Sequence, residues 1–198
     1  MSVRVVAADI PDILIVEPEV HRDERGVFVE TYRADAYRAA GIGARFVQDN
    51  HSRSVARTLR GLHLQVRRPQ AKLIRVTEGE VFDVAVDVRR GSPTFGRWVG
   101  LVLSADTFRQ CYIPAGFAHG FCVLSATATL DYKCSDVYDP SDELGIAWDD
   151  PALAIRWPVS DPLLSARDRR NLPLADLMHR LPLFATGQPT VHGSATEL

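Results

Sequence analysis

The chain has 198 residues, 46% of them hydrophobic and 24% charged, with a formal net charge of −2. That length suits one domain with a sizeable core. The near-neutral balance excludes the basic footprint of a nucleic-acid binder or a membrane-surface protein. No apolar run is long enough to span a bilayer, and the N-terminal "MSVRVVAADIPD" carries acids where a signal peptide would not. Three widely spaced cysteines, Cys111, Cys122 and Cys134, argue against a disulfide framework or zinc knuckle and for a reducing cytoplasm. All three read as small buried hydrophobes.

In chain order the first β-rich run is "ILIVEP" 13–18, and the turn "DERG" 23–26 leads into "VFVETY" 27–32. A helix-like "RADAYRAAG" 33–41 follows, then strands over "RFVQDN" 45–50, "LRGLHLQV" 59–66, "KLIRVTEG" 72–79 and "EVFDVAVDV" 80–88. Beyond the turn "RRGSPTFG" 89–96 come "RWVGLVL" 97–103, "FRQCYIP" 108–114, "GFCVL" 120–124 and "ATLDYKC" 128–134. After "DPSDELG" 139–145 the second helix-like segment is "LADLMHRL" 174–181. Many short, evenly spaced strands predict an all-β sandwich, barrel or jelly roll with short flanking helices. One domain over residues 1–183 is expected, with 184–198, small and polar, as a flexible tail.

Within 80–88, alternation puts Asp83, Ala85 and Asp87 on one face and Phe82, Val84, Val86 and Val88 on the other. The acids are costly to bury unless paired or wet. The pattern fits a barrel with a polar interior, and equally a plain solvent face. The apolar row and the many β edges need covering, and a two-fold partner is the commonest solution, so a homodimer is expected.

Two stretches resemble the paired motifs of the cupin jelly rolls. "PAGFAH" 114–119 fits the second motif and ends at His119. The first is altered: "GLHLQ" keeps His63 but places Gln65 where a second ligand belongs, and Lys72 stands nearby in place of the expected acid. Two histidines, an amide and an ammonium make a poor cage for a dication, so the pocket is expected without a metal. His63, Lys72, Asp83, His119 and Tyr132 have spacings that suit one barrel interior. Such a set suits proton abstraction beside a carbonyl, with imidazole as base, phenol as acid and ammonium against the oxyanion.

At these residues the sequence resembles the dTDP-4-dehydrorhamnose 3,5-epimerase family. The resemblance runs over residues 20 to 175 through "DERGVFVETY", "QDNHSRS", "LRGLHLQ", "PQAKLIRVTEGEVFDVAVDVRRGSPTFG", "IPAGFAHGF", "YKCSDVYDP", "GIAWDDP" and "LSARDRRNLPL". It implies a cupin-type jelly roll (a double-stranded β-helix), a homodimer acting on a dTDP-sugar, and no metal or organic cofactor. It also implies that His63 removes the protons at C3 and C5 of a 4-keto sugar, with Asp168 as its dyad partner. Tyr132 would reprotonate the opposite face and Lys72 would steady the enolate oxygen. Arg25, Glu30, Gln48, Asp49, Asn50, Arg60, His119, Glu143 and Arg167 fall on nucleotide- and sugar-binding positions, and Tyr138 where an aromatic ring stacks on thymine. The resemblance further implies that Arg25 and Glu30 reach toward the neighbour's site.

Taken singly, each residue has a plainer reading. His63 alone suits a hydrogen-bonded core histidine, Lys72 a strand-edge gatekeeper, Tyr132 and Tyr138 core or rim aromatics, and Asp168 a solvated turn. Arg67, Arg68, Arg169 and Arg170 are assigned to solvent, and His21, His51 and His179 to surface or structural roles. Leu64 stands where the family usually has an aromatic, and Arg167 where lysine is common. Arg60 lies three residues before His63, so both can face one cavity only if the strand is bulged near Gly61. The competing functions are an epimerase acting at C3 or C5 alone, a ketoisomerase of similar fold, a non-catalytic nucleotide-sugar-binding cupin, and a metal-dependent cupin oxygenase.

Overall fold

The computed structural model describes residues 3–184. β1 (Val3–Ala7) and β2 (Leu14–Pro18) pair antiparallel, and β3 (Val20–Asp23) and β4 (Gly26–Val29) form a separate hairpin, followed by helix α1 (Ala34–Ala39). β5 (Gln48–Val55), β6 (Leu59–Gln65), β7 (Lys72–Glu78) and β8 (Glu80–Asp87) come next. They are followed by β9 (Trp98–Ser104), β10 (Gln110–Ile113), β11 (Phe117–Val123), β12 (Thr127–Cys134) and β13 (Glu143–Gly145). A C-terminal segment carries a 3-10 turn (Asp168–Arg170) and the short helix α2 (Leu174–Leu177).

Two antiparallel sheets face each other, in the orders β1-β2-β10-β7-β12-β5 and β13-β6-β11-β8-β9. This is the expected cupin-type jelly roll. The chain crosses between the sheets at Gly79, where φ is +75° and an added Cβ would lie 2.1 Å from the Thr127 carbonyl oxygen. Only glycine fits so tight a corner. The sequence reading misses β1, β3 and β13: β3 and β13 are short and largely polar, and they exist because a neighbouring strand pairs with them.

The core has three parts. Between the sheets lie Ile74, Val76, Val81, Val99, Leu103, Cys111, Ile113, Phe121 and Leu130. Outside the six-stranded sheet, Leu14, Val16 and Leu73 pack against Tyr37 and Ile42 around α1. Outside the five-stranded sheet, Leu62, Leu64, Val84, Val86 and Val88 are covered by Leu153, Leu174, Leu177 and Leu181. That last layer corrects one expectation. The row Phe82, Val84, Val86, Val88 is covered by the chain's own C-terminal segment, with Phe82 edge-on to Trp157, and it calls for no second copy. Leu64 belongs to the same layer, so the departure at that position is a matter of packing.

The acids of β8 do face inward. Asp87 is fully buried and accepts hydrogen bonds from Arg89 Nε (2.9 Å), Arg89 Nη2 (2.7 Å) and Ser92 Oγ (2.6 Å). All three cysteines are buried and free. Arg67 and Arg68 are exposed, yet they have work that the solvent assignment denied them. Asp142 accepts both their backbone N–H groups and Arg67 Nε (3.1 Å), while Arg68 pairs with Asp136, pinning the 136–142 loop. The expected tail lies outside the described residues, apart from Phe184, whose N–H donates to the Arg90 carbonyl at 2.9 Å.

Candidate active site

The polar residues gather on one side of the barrel, where β5, β6 and β13 approach. On β6 an extra residue puts Arg60 and His63 on one face. His63 is level with His119 of β11, but Arg60 is level with Phe121, so three residues of β6 span two of β11. The expected bulge therefore exists, and Gly61 makes it: φ is +127°, and a Cβ there would meet Gly120 Cα at 2.5 Å. Arg60 Nε donates to Ser54 Oγ at 3.1 Å.

His63 Nε2 lies 2.6 Å from Asp168 Oδ1, joining residues 105 positions apart. Asp168 is 5% exposed and its N–H donates to Ser165 Oγ at 3.0 Å. Burial pushes its carboxyl up, but hydrogen bonding and charge from His63, together with Ser165 and Arg167, outweigh that and hold it below its ordinary value. An ionised carboxylate on Nε2 leaves Nδ1 as the imidazole's second working atom, and Nδ1 is 3.9 Å from Glu143 Oε1. Glu143 in turn accepts the Tyr138 hydroxyl at 2.8 Å and pairs with the Arg167 guanidinium.

On the opposite sheet Tyr132 packs against the inner core, and burial raises its phenol above the usual range, so it stays protonated at neutrality. Lys72, at the start of β7, donates from Nζ to Gln70 Oε1 at 2.8 Å, and burial lowers its ammonium from the ordinary value. Gln48 and Asn50 also face inward: Gln48 Nε2 donates to Asn50 Oδ1 (2.9 Å), Asn50 Nδ2 to Cys134 Sγ (3.4 Å), and the Tyr138 N–H to Gln48 Oε1 (2.8 Å). His119 Nε2 is 2.7 Å from Asp83 Oδ1.

Four expected site residues lie elsewhere or act indirectly. Asp83, 1% exposed, sits behind His119, and its Oδ2 has no hydrogen-bond partner among the described residues. Asp49 points to the other side of β5, where it pairs with Lys133 Nζ at 3.0 Å beside an outer hollow of about 310 Å³ that includes His51, Arg75 and Asp131. Strand alternation forbids Gln48, Asp49 and Asn50 from all facing one cavity. Arg25 is exposed in the β3–β4 hairpin and paired with Asp23, and Glu30 pairs with Arg33 at 3.3 Å. Neither residue reaches His63 within this chain. Conversely, Cys134, read only as a small hydrophobe, accepts a hydrogen bond from Asn50, and Gln70 was not singled out although it stands two residues from Lys72.

The donor set does not fit a dication. Gln65, 3% exposed, spends its amide on the loop: Nε2 donates to the Arg68 carbonyl (2.9 Å) and Oε1 accepts the Asp139 N–H (2.8 Å). His63 and His119 are each engaged by a carboxylate, and among the described residues no group of three or more His, Cys, Asp or Glu is arranged to hold a metal.

A jelly roll whose interior holds an imidazole–carboxylate pair on one sheet and a protonated phenol and a half-buried ammonium on the other defines a cupin-type isomerase, a fold adapted to acid–base chemistry. The family model for dTDP-4-dehydrorhamnose 3,5-epimerase matches residues 7–176. A Pseudomonas aeruginosa protein of that name is 57% identical over 169 residues, covering 84% of this chain and 93% of the relative. The crystal structure of dTDP-6-deoxy-D-glucose-3,5-epimerase from Legionella pneumophila, in complex with dTDP-4-keto-L-rhamnose, superimposes with a TM-score of 0.90 at 48% identity, covering 92% of this chain and 99% of the other. A dTDP-4-dehydrorhamnose 3-epimerase from Streptomyces niveus is 45% identical over 87% of this chain and 86% of its own length. The chain belongs to the dTDP-4-dehydrorhamnose 3,5-epimerase family.

Proposed function

We propose that this protein converts dTDP-4-dehydro-6-deoxy-D-glucose to dTDP-4-dehydro-L-rhamnose by inverting C3 and C5 beside the C4 ketone. The observation that carries this reading is the His63–Asp168 pair, 2.6 Å apart, with Glu143 3.9 Å from His63 Nδ1 and near enough to Tyr132 and Lys72 to bias the charge of both. The C4 carbonyl makes the flanking C–H bonds acidic, and the charge develops on its oxygen. His63 Nδ1 takes the proton while Asp168 on Nε2 fixes the tautomer and supports the imidazolium, the logic of a hydrolase triad applied to a carbon acid. Tyr132 returns a proton from the opposite face, and the Lys72 ammonium steadies the enolate oxygen. Arg60 and Arg167 suit the diphosphate, Tyr138 the thymine ring, and Gln48, Asn50, His119 and Glu143 the sugar and nucleotide polar groups. Asp83 acts through His119 and Asp49 has no ligand contact in this reading.

Nuclear magnetic resonance of the 4-keto sugar nucleotide in heavy water tests the reading, with uptake of deuterium expected at both C3 and C5. Uptake at C3 or at C5 alone would select the second reading, a single-site epimerase, for which the 45% identity to the Streptomyces niveus 3-epimerase is the supporting observation. No uptake at either carbon would overturn both.

The homodimer now rests on the β3–β4 hairpin. Among the described residues it pairs with no other strand, and its second strand carries Phe28 at 62% exposure beside Val27 at 46%, an apolar stretch suited to a second copy, whose site Arg25 and Glu30 would then approach. Sedimentation showing only monomer at micromolar concentration would contradict this. The described helices include none long and apolar enough to cross a membrane, and the three free, buried thiols suit a reducing cytoplasm.

A further inference from the structure

Gln70 is buried, 8% exposed, and both ends of its amide are used. Oε1 accepts Lys72 Nζ at 2.8 Å and Nε2 donates to the Asp136 carbonyl at 2.8 Å. An ammonium can only donate and a carbonyl can only accept, so the amide has one permitted orientation. The backbone on either side is tied to the same loop: the Ala71 N–H donates to Ser135 Oγ at 2.8 Å, and the Ser135 N–H to the Ala71 carbonyl at 3.0 Å. Among the described residues Lys72 has no carboxylate in ion-pair range, although Cys134 and Glu143 lie close enough to bias its charge.

We infer that Gln70 is a positioning residue that aims the Lys72 ammonium at the substrate while leaving its charge uncancelled. This rests on the reading of Lys72 as the group facing the developing oxyanion. The choice of amide matters chemically. A carboxylate at position 70 would take up the positive charge in an internal ion pair before any substrate arrived, whereas a neutral carbonyl oxygen orients the ammonium and leaves its field for the transition state. The link to the Asp136 carbonyl also connects Lys72 to the loop that presents Tyr138, so nucleotide docking and ammonium placement share one support.

The test compares Gln70→Met, Gln70→Glu, Lys72→Met and the Gln70→Met/Lys72→Met double variant, with kcat and KM taken from deuterium exchange into the sugar nucleotide. Gln70→Met is expected to lower kcat about tenfold with little change in KM, the loss of one charge-assisted hydrogen bond felt mainly in the transition state. Gln70→Glu, matched in size, is expected to lower kcat further. The double variant should be no slower than Lys72→Met alone, because both changes remove one device. Wild-type kcat in Gln70→Glu, or a double variant slowed by the product of the two single effects, would overturn the inference. Should Gln70→Met not fold, Gln70→Glu decides alone. Wild-type exchange in Lys72→Met would instead overturn the reading of Lys72 itself, and the inference with it.

Discussion

The two sides of the barrel are made by the same kind of strand and do opposite work. On the side of β8, β9 and β10, the inner face is closed to water: Val81, Val99, Leu103, Cys111 and Ile113 are all nearly inaccessible, and the inward acids Asp83 and Asp87 are taken up by His119 and Arg89. On the side of β5, β6 and β13, inward positions hold Gln48, Asn50, Arg60, His63 and Gln65, each hydrogen-bonded to a named partner. β7 and β12 mark the boundary, running from Val76 and Leu130 to Lys72 and Tyr132 in steps of two residues. The difference teaches that the site needs no separate domain or loop cap. The inner face of each sheet changes from apolar to polar, and the dry half supplies the rigidity that holds the wet half in place.

Substitution at the centre of the polar side should have the largest effect. His63→Ala is expected to reduce deuterium uptake at C3 and C5 by roughly a thousandfold or more, with a modest fall in melting temperature because the buried Asp168 carboxylate loses its partner. Exchange at full rate would remove His63 from the mechanism. The dry side should behave in reverse. Leu130→Ala, at a position with no exposure, should cost about 2–5 kcal/mol of stability in urea titrations, yet leave kcat per folded molecule unchanged. A large fall in kcat at constant folded fraction would show that the two sides are not separable.

A smaller effect is expected from Asp142→Asn, beneath the loop that carries Tyr138. The carboxylate accepts two backbone N–H groups and Arg67 Nε, so the loss should be about 1.5–3 kcal/mol, with a raised KM from a loosened loop. Burial raises the Asp142 carboxyl, but those donors outweigh it and hold it below its ordinary value. A depressed folded value means the contribution is complete above the unfolded value of about 4 and is lost as pH falls through the folded one. Stability measured against pH should therefore drop below about pH 4, and less steeply in Asp142→Asn.

The smallest effect is on the alkaline side. Burial lowers Lys72 and raises Tyr132, which favours Lys72 as the group that sets the alkaline limb. The alkaline limb of kcat should fall below the ordinary lysine value of about 10.4, and Lys72→Met should move whatever limb remains to higher pH. An unmoved limb would mean that Tyr132 sets it.

Much of this was legible in the sequence because alternation is a local property. The strands from Gln48 to Cys134, the inward acids of β8 and the bulge between Arg60 and His63 all follow from a period of two and from what glycine permits. The same rule, applied strictly to residues 48–50, would have excluded Asp49 from the cavity. Contiguity in a motif was the weaker guide. β3 and β13 were not legible, since a short polar strand is defined by its neighbour rather than by its own residues.

The sequence by itself determined the two-residue alternation and the family, and it nominated His63, Tyr132 and Lys72 as base, acid and ammonium. Only the tertiary structure decided which partner each would have. It brought Asp168 to His63 across 105 residues, turned the Gln65 amide onto the loop, set Asp83 behind His119, and laid Leu153, Leu174 and Leu177 over a valine row that otherwise called for another chain. The reason is physical. Which face a side chain takes depends on its immediate neighbours in the chain, but what it meets there depends on strand order and register, and those are fixed only when the whole core packs.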